Sequence, residues 1–146
     1  MTKRALVVGG VLIGAAVAEA LLTRGLSVRL IDREVRYAPH LLNAHESALV
    51  EEELRVMGAE LSLGVSLEEL EGEGRVSSAT LITQEGEREN VSCELVVGAI
   101  GAEPNLHLAS QLSLRVVTPE EASDQGRPTG VWVGERFQTS LEGVFA

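Results

Sequence analysis

Basic residues are scarce in this chain: 12 Lys and Arg stand against 22 Asp and Glu, a formal net charge of −10. That balance argues against a broad electrostatic surface for nucleic acid or for an anionic membrane. Aromatic residues make up only 3% of the sequence, so the core must be built from Leu, Val, Ala and Ile. The one cysteine, Cys93, has no partner for a disulfide within the chain and supplies no thiol cluster for a metal. Flanked by Ser92 and Glu94, with nothing basic beside it, it reads as a small buried hydrophobe. His40, His45 and His107 are scattered, none at metal-ligand spacing, and read as surface residues. No Ser-His-Asp order and no G-x-S-x-G elbow is present. Long apolar runs are also missing, and the run near the N-terminus is too short and glycine-rich for a membrane span. There is no internal repeat and no low-complexity tract. What remains, at 146 residues and 45% hydrophobic, is enough chain for one packed domain, with a cytoplasmic location as the expectation.

What the sequence does contain is concentrated in residues 5–34. A short apolar strand, Ala5–Val8, runs into Gly9-Gly10-Val11-Leu12-Ile13-Gly14. A helical pattern follows, then a second apolar strand, Val28–Ile31, ending on Asp32. This is the layout of a dinucleotide-binding βαβ unit. A tight glycine turn brings a helix N-terminus up to a pyrophosphate, where free backbone N–H groups and the helix dipole favour negative charge. An acidic residue about 20 positions on accepts from a ribose hydroxyl, and Asp32 stands in that place. Gly9, Gly10, Leu12, Ile13 and Gly14 are therefore the candidate phosphate cradle, and Asp32 the candidate ribose ligand. Arg33 is either a contact on the adenosine side or surface charge. Val11 occupies the position of the middle glycine of G-x-G-x-x-G, so a β-branched side chain is expected to crowd the phosphates. Lys3-Arg4 before an apolar run ending in Ala16-Val17-Ala18 loosely imitates a secretory leader, but that reading leaves the strand up to Asp32 unexplained.

Further along, the pattern predicts a first helix from about Gly14 to Arg24, stopped by Gly25. Glu34–Leu42 reads as a loop. Asn43 and Glu46 form a capping-box signature for a second helix to about Met57, ended by Gly58. Its Glu51-Glu52-Glu53 run reads as a solvated face. Ala59–Leu63 is a third strand. The period then changes to that of short antiparallel strands at Leu67–Leu70, Arg75–Thr83 and Arg88–Ser92. Glu94–Ile100 is a buried strand. Thr118–Gly130 reads as a loop or linker and Val131–Phe137 as a strand, with Trp132 a packing residue. The expected fold is α/β: a Rossmann-like three-layer domain whose parallel sheet carries a small antiparallel β insertion.

With that order of elements, the chain resembles the NAD(P)H-binding domain of the FAD-dependent pyridine nucleotide–disulfide oxidoreductases, the group that includes rubredoxin, ferredoxin and nitrite reductases. The resemblance rests on four segments in order. These are the turn Val7–Gly14, the acidic–basic pair Asp32-Arg33, the run Leu95-Val96-Val97-Gly98-Ala99-Ile100-Gly101-Ala102-Glu103-Pro104-Asn105, and the tail Thr139–Ala146. It implies that Ile100 and Gly101 line the nicotinamide side. It implies a dinucleotide-binding domain over 1–117, with 118–146 a linker and C-terminal strand resembling the return into an FAD-binding domain. The chain departs from the family pattern at Val11, at Ala16 where a glutamate is usual, and at Ala102-Glu103 where an arginine is common.

The function this implies is the NADH-binding part of a flavoprotein oxidoreductase that passes hydride from nicotinamide to FAD, as a fragment or stand-alone relative. No catalytic or metal-binding residue is assigned, and turnover by this chain alone is not expected. NADH is favoured over NADPH, because a carboxylate at Asp32 accepts from a 2′-hydroxyl and repels a 2′-phosphate; Arg33 and Arg36 could soften that bias. A flavin domain or a redox protein is the implied partner. Two other readings stand beside it: a single-domain FAD-binding relative of thioredoxin reductase, and a degenerate non-catalytic interaction domain.

Overall fold

The computed structural model describes residues 2–125 and 129–146. The chain divides into two compact units, Met1–Gly101 and Ala102–Ala146. The first contains β1 (Arg4–Val8), α1 (Ile13–Thr23), β2 (Ser27–Asp32), α2 (Ala44–Val56), β3 (Glu60–Leu63), β4 (Val65–Glu71), β5 (Ser78–Thr83), β6 (Arg88–Ser92) and β7 (Leu95–Gly98). Strands β3-β2-β1-β7 form a sheet in that order, and every pairing in it is parallel. Strands β4-β5-β6 form a second, antiparallel sheet.

The alternation of side chains along β1 and β2 explains the layering. Ala5, Val7, Val28 and Leu30 point into one core with Ala18 of α1 and Leu54 of α2. Leu6 and Ile31 point the other way, into a second core with Ala79, Leu81 and Cys93. Helices therefore cover one face of the parallel sheet and the antiparallel layer covers the other. A sheet buried on both faces needs apolar residues at consecutive positions, which is why β1 and β2 read as apolar runs rather than as an alternating pattern.

Helix α1 lies close to the sheet because its buried residues, Gly14 and Ala18, are small and one turn apart. Its stop is Gly25 at φ +79, a conformation that costs other residues strain. Helix α2 begins with the expected capping box: Asn43 Oδ1 accepts from the His45 and Glu46 amides, and Glu46 Oε2 accepts from the Asn43 amide at 2.8 Å. In the antiparallel layer the β4–β5 register shifts between Leu67 and Glu69, as a bulge. Arg29 of β2 ties the two sheets together with a two-pronged bond to Glu89 of β6 at 2.8 and 2.7 Å. The bond to Glu89 raises the Arg29 guanidinium above its ordinary value, and the bond to Arg29 holds the Glu89 carboxyl below its own.

The second unit carries α3 (His107–Gln111), β8 (Val116–Val117), α4 (Pro119–Gln125) and β9 (Gly130–Val131), with β8 and β9 antiparallel. Two expectations need correction here. Thr118–Gly130 is not wholly a loop, because Pro119–Gln125 is helical. Its start is a second capping box: Thr118 Oγ1 accepts from the Glu121 amide and Glu121 Oε2 from the Thr118 amide, with Pro at the first helical position. Residues 126–128 of the expected loop lie outside the described residues. The strand expected over Val131–Phe137 stops at Val131, since the Gly134 and Phe137 amides bond into a tight turn and Phe137 sits at φ +60. Trp132 packs beneath the Arg115 guanidinium, 5.2 Å from its ring centre. Among the described residues no helix is long and apolar enough to cross a membrane, and no cluster of three metal-ligating side chains is present.

Candidate dinucleotide site

From β1 the chain crosses through α1 to β2 on one side, and later reaches β7 on the other. The strand order therefore reverses between β1 and β7. In open α/β sheets, ligands bind outside the carboxyl ends of the strands at such a reversal. Three segments meet that edge: the turn Gly9–Gly14 after β1, Asp32 at the end of β2, and Ala99–Gly101 after β7. All three belong to the first unit.

The turn is built on close approach. Gly9 sits at φ +101, and a Cβ there would lie 2.4 Å from the Ala99 carbonyl oxygen. The Ala99 amide donates to the Val8 carbonyl at 2.7 Å, and the Gly9 amide to the Ile31 carbonyl at 2.9 Å. A Cβ on Gly14 would fall 1.7 Å from the Gly9 carbonyl oxygen. Only glycine permits these contacts between turn, helix and the β7 loop.

Asp32 is beside the turn, as its position in the sequence suggests. Its Oδ2 accepts from the Gly10 amide at 2.6 Å and its Oδ1 from the Glu34 amide at 3.0 Å. It thus fastens the turn to the loop after β2, a role that sequence reasoning did not assign. The start of α1 has no side-chain cap and no acidic residue in its first turn, so nothing on the helix itself competes for an anion there.

Leu12, Ile13 and Ile100 are largely exposed, Ile100 at 82%. Leu12 adopts φ +35, an uncommon conformation for a non-glycine residue. Apolar side chains in water at a sheet edge are what a cofactor ring would cover. Gly101 adopts φ +121 with open space around it. Val11 is half-buried and packs against the helix-side core. Arg33 is 83% exposed, its Nε 3.7 Å from Glu34.

Behind the turn lies a cluster that the sequence did not announce. Tyr37 is buried, and its ring edge lies 3.6 Å from where a Gly10 Cβ would stand. Burial pushes its phenol above its ordinary value, with the Leu12 backbone amide pulling the other way. Its carbonyl accepts from Ser47 Oγ at 2.7 Å and its amide donates to Glu51 Oε1 at 3.1 Å. Glu51 is thus half-buried and engaged, which corrects the reading of the whole acidic run as solvated. Arg36 donates to Leu42 O at 2.7 Å, Ser47 Oγ at 2.5 Å and Pro39 O at 3.2 Å. One signal pointed to this cluster. Ser47 shares an inward stripe with Val50 and Leu54 of α2, and a serine on an apolar stripe needs a partner.

The three histidines are exposed. Cys93 is buried, and burial raises its thiol above the ordinary value, as expected of an inert side chain.

Comparison with known proteins agrees with this fold. The pyridine nucleotide-disulphide oxidoreductase family model matches residues 1–146. The chain is 34% identical over 140 residues to an NAD(P)H sulfur oxidoreductase (CoA-dependent) of Pyrococcus furiosus, covering 96% of this chain and 28% of the relative. It spans little more than a quarter of that relative's length. Among solved structures it is similar to the reductase in a covalent putidaredoxin reductase–putidaredoxin complex. There the TM-score is 0.78 and the identity 26%, covering 98% of this chain and 31% of the other. It is also similar to a water-forming NADH oxidase from Lactobacillus brevis bound to NADH, with TM-score 0.65 and 30% identity over 81% of this chain and 25% of the other. An engineered form of that oxidase, bound to NADPH, carries an aspartate changed to alanine and the following alanine changed to arginine. With the whole of residues 1–146 matched, this chain belongs to the pyridine nucleotide-disulphide oxidoreductase family.

Proposed function

We propose that this chain is the NADH-binding part of a flavoprotein oxidoreductase, in which hydride passes from nicotinamide to FAD. The observation that supports it most is the meeting of the Gly9–Gly14 turn, Asp32 and Ala99–Gly101 at one sheet edge where the strand order reverses. The residues fit a dinucleotide. The glycines let the turn, the start of α1 and the loop after β7 approach one another closely, and the uncapped start of α1 suits a pyrophosphate. In this reading Gly9, Gly10, Leu12, Ile13 and Gly14 hold the pyrophosphate. Asp32, with Arg33 beside it, meets the adenosine ribose. Ile100 and Gly101 line the nicotinamide side and exclude water with their apolar and backbone surfaces. When bound, a nicotinamide would supply hydride to a flavin; the protein's part is to bind and orient. The dinucleotide-binding domain is residues 1–117, and 118–146 leads toward a flavin-binding domain. A flavin domain, or a small redox protein of the kind seen with putidaredoxin reductase, is the partner.

NADH is preferred over NADPH. Asp32 and Glu34 are both acidic at the ribose end, and of the two nearby arginines Arg36 is already engaged. Arg33 stands exposed beside Asp32, so it weakens the preference without reversing it. Calorimetric titration of the purified chain with NADH, NADPH and FAD tests this. NADH binding that is lost in Gly14→Ala is the expected result. A protein that purifies yellow with flavin in this turn, or that binds none of the three, would overturn it.

A further inference from the structure

The loop that follows Asp32 carries three cationic or titratable bases, Arg33, Arg36 and His40. Arg33 and His40 are exposed, whereas Arg36 is half-buried and folded back onto its own loop. Its guanidinium spans two carbonyls of the loop, Pro39 O and Leu42 O, and one side chain outside it, Ser47 Oγ. That third partner is the unusual one. Ser47 is fully buried on α2, and its hydroxyl is used in both directions, accepting from Arg36 and donating to the Tyr37 carbonyl. Tyr37, the next residue, lies against Gly10 and Asp32. The backbone that bears Arg36 is therefore close to the candidate ribose carboxylate, while its guanidinium is engaged with Pro39 O, Leu42 O and Ser47 Oγ.

We infer that Ser47 is a specificity-determining residue that acts through Arg36: by holding the guanidinium against Pro39 O and Leu42 O, it withholds from the ribose end a cation that would otherwise recognise a 2′-phosphate. This rests on the dinucleotide reading above. Arginine is the side chain best suited to a phosphate, because its planar fork makes paired charge-assisted bonds. A fork already filled by three neutral acceptors has little to offer a ligand. Removing the buried hydroxyl takes away the only side-chain acceptor and the one fixed by a helix rather than by the loop. The serine touches no part of the dinucleotide in this arrangement; it is a positioning residue, and its effect appears as a ratio of affinities.

Calorimetry of the full chain with NADH and with NADPH provides the test. Ser47→Ala should raise the affinity for NADPH relative to NADH by roughly two- to fivefold, the size of one exposed charge contact. The double variant Ser47→Ala/Arg36→Gln should return the ratio to its wild-type value. A purely structural role for Ser47 lowers both affinities together and leaves the ratio unmoved. If Ser47→Ala does not fold, Arg36→Lys replaces it, since a compact ammonium lacks the planar fork that spans Pro39 O, Leu42 O and Ser47 Oγ; the same rise is expected. An unchanged ratio in either folded variant, or a rise that persists without Arg36, overturns the role of Ser47 and leaves the dinucleotide site standing. Wild-type chain that binds neither NADH nor NADPH overturns both.

Discussion

The carboxyl edge of the parallel sheet and the antiparallel layer on its face are built by opposite means. At the edge, Gly9 and Leu12 sit at positive φ, Gly14 is pressed against the Gly9 carbonyl, and Leu12, Ile13 and Ile100 stand in water. In the antiparallel layer, Ala79 and Leu81 alternate inward, Cys93 closes the core, and Arg29 and Glu89 bond across the sheets. The first region keeps strained backbone and uncovered apolar surface, features that cluster at ligand sites. The second has ordinary side-chain packing and serves stability. Substitutions in the two regions should therefore separate binding from stability.

The largest effect on stability is expected from Leu81→Ala. Truncating a fully buried leucine costs about 2–5 kcal/mol, visible as a lower urea midpoint, while NADH affinity of the folded fraction stays unchanged. Loss of NADH binding in that variant at concentrations where it is folded would show that the layer also shapes the site. Gly14→Ala comes next and does the reverse. Its Cβ would overlap the Gly9 carbonyl, so α1 must move off the turn at a cost of about 1–3 kcal/mol, and NADH binding should be lost even where circular dichroism reports a folded chain.

Asp32→Ala should weaken NADH binding and narrow the gap to NADPH. It also leaves the Gly10 and Glu34 amides without their acceptor, a loss of about 1–3 kcal/mol in stability. A gap that stays as wide would remove Asp32 from the ribose. Val11→Gly sharpens the picture of the turn. NADH affinity should rise if the valine branch stands near the pyrophosphate. Stability should fall by about 1 kcal/mol, from lost packing against the core and from added freedom in the unfolded chain. An unchanged affinity would mean that the inward packing of Val11 already clears the phosphates.

The smallest effect belongs to the bond between layers. Glu89 is held below its ordinary value by Arg29, so its contribution is full above the unfolded carboxylate value and is lost as pH falls through the lowered folded one. Arg29→Met should flatten the acid limb of a stability–pH profile below about pH 4.5 and leave neutral-pH stability within about 1 kcal/mol, because Glu89 is more than half exposed. An unaltered acid limb would show that the bond contributes nothing.

Much of the fold was legible in the residues. Periodicity placed β1, α1, β2 and the antiparallel hairpins, and Asn43 with Glu46 marked the start of α2, because these features are local: a cap or an alternating strand needs only its neighbours in sequence. The second unit was read less well. Thr118 with Glu121 carries the same capping signal as Asn43 with Glu46, but it sits among prolines and glycines that have the composition of a loop. Val131–Phe137 had the composition of a strand, yet Gly134 and the turn at Phe137 end it early.

The sequence by itself determined that a glycine turn joins a strand to a helix, that an acidic residue ends the next strand, and that the chain is α/β with an antiparallel insertion. These follow from backbone preferences and side-chain periodicity within single elements. Only the tertiary structure decided that Ala99 stands against Gly9, that Asp32 accepts from the Gly10 amide, that Val11 turns toward the core, and that Arg36 donates to Ser47 of α2. Each of those contacts joins residues on different elements, up to 90 positions apart in the case of Gly9 and Ala99. Distance along the chain carries no information about them until the parallel sheet has brought the carboxyl ends of its strands to one edge.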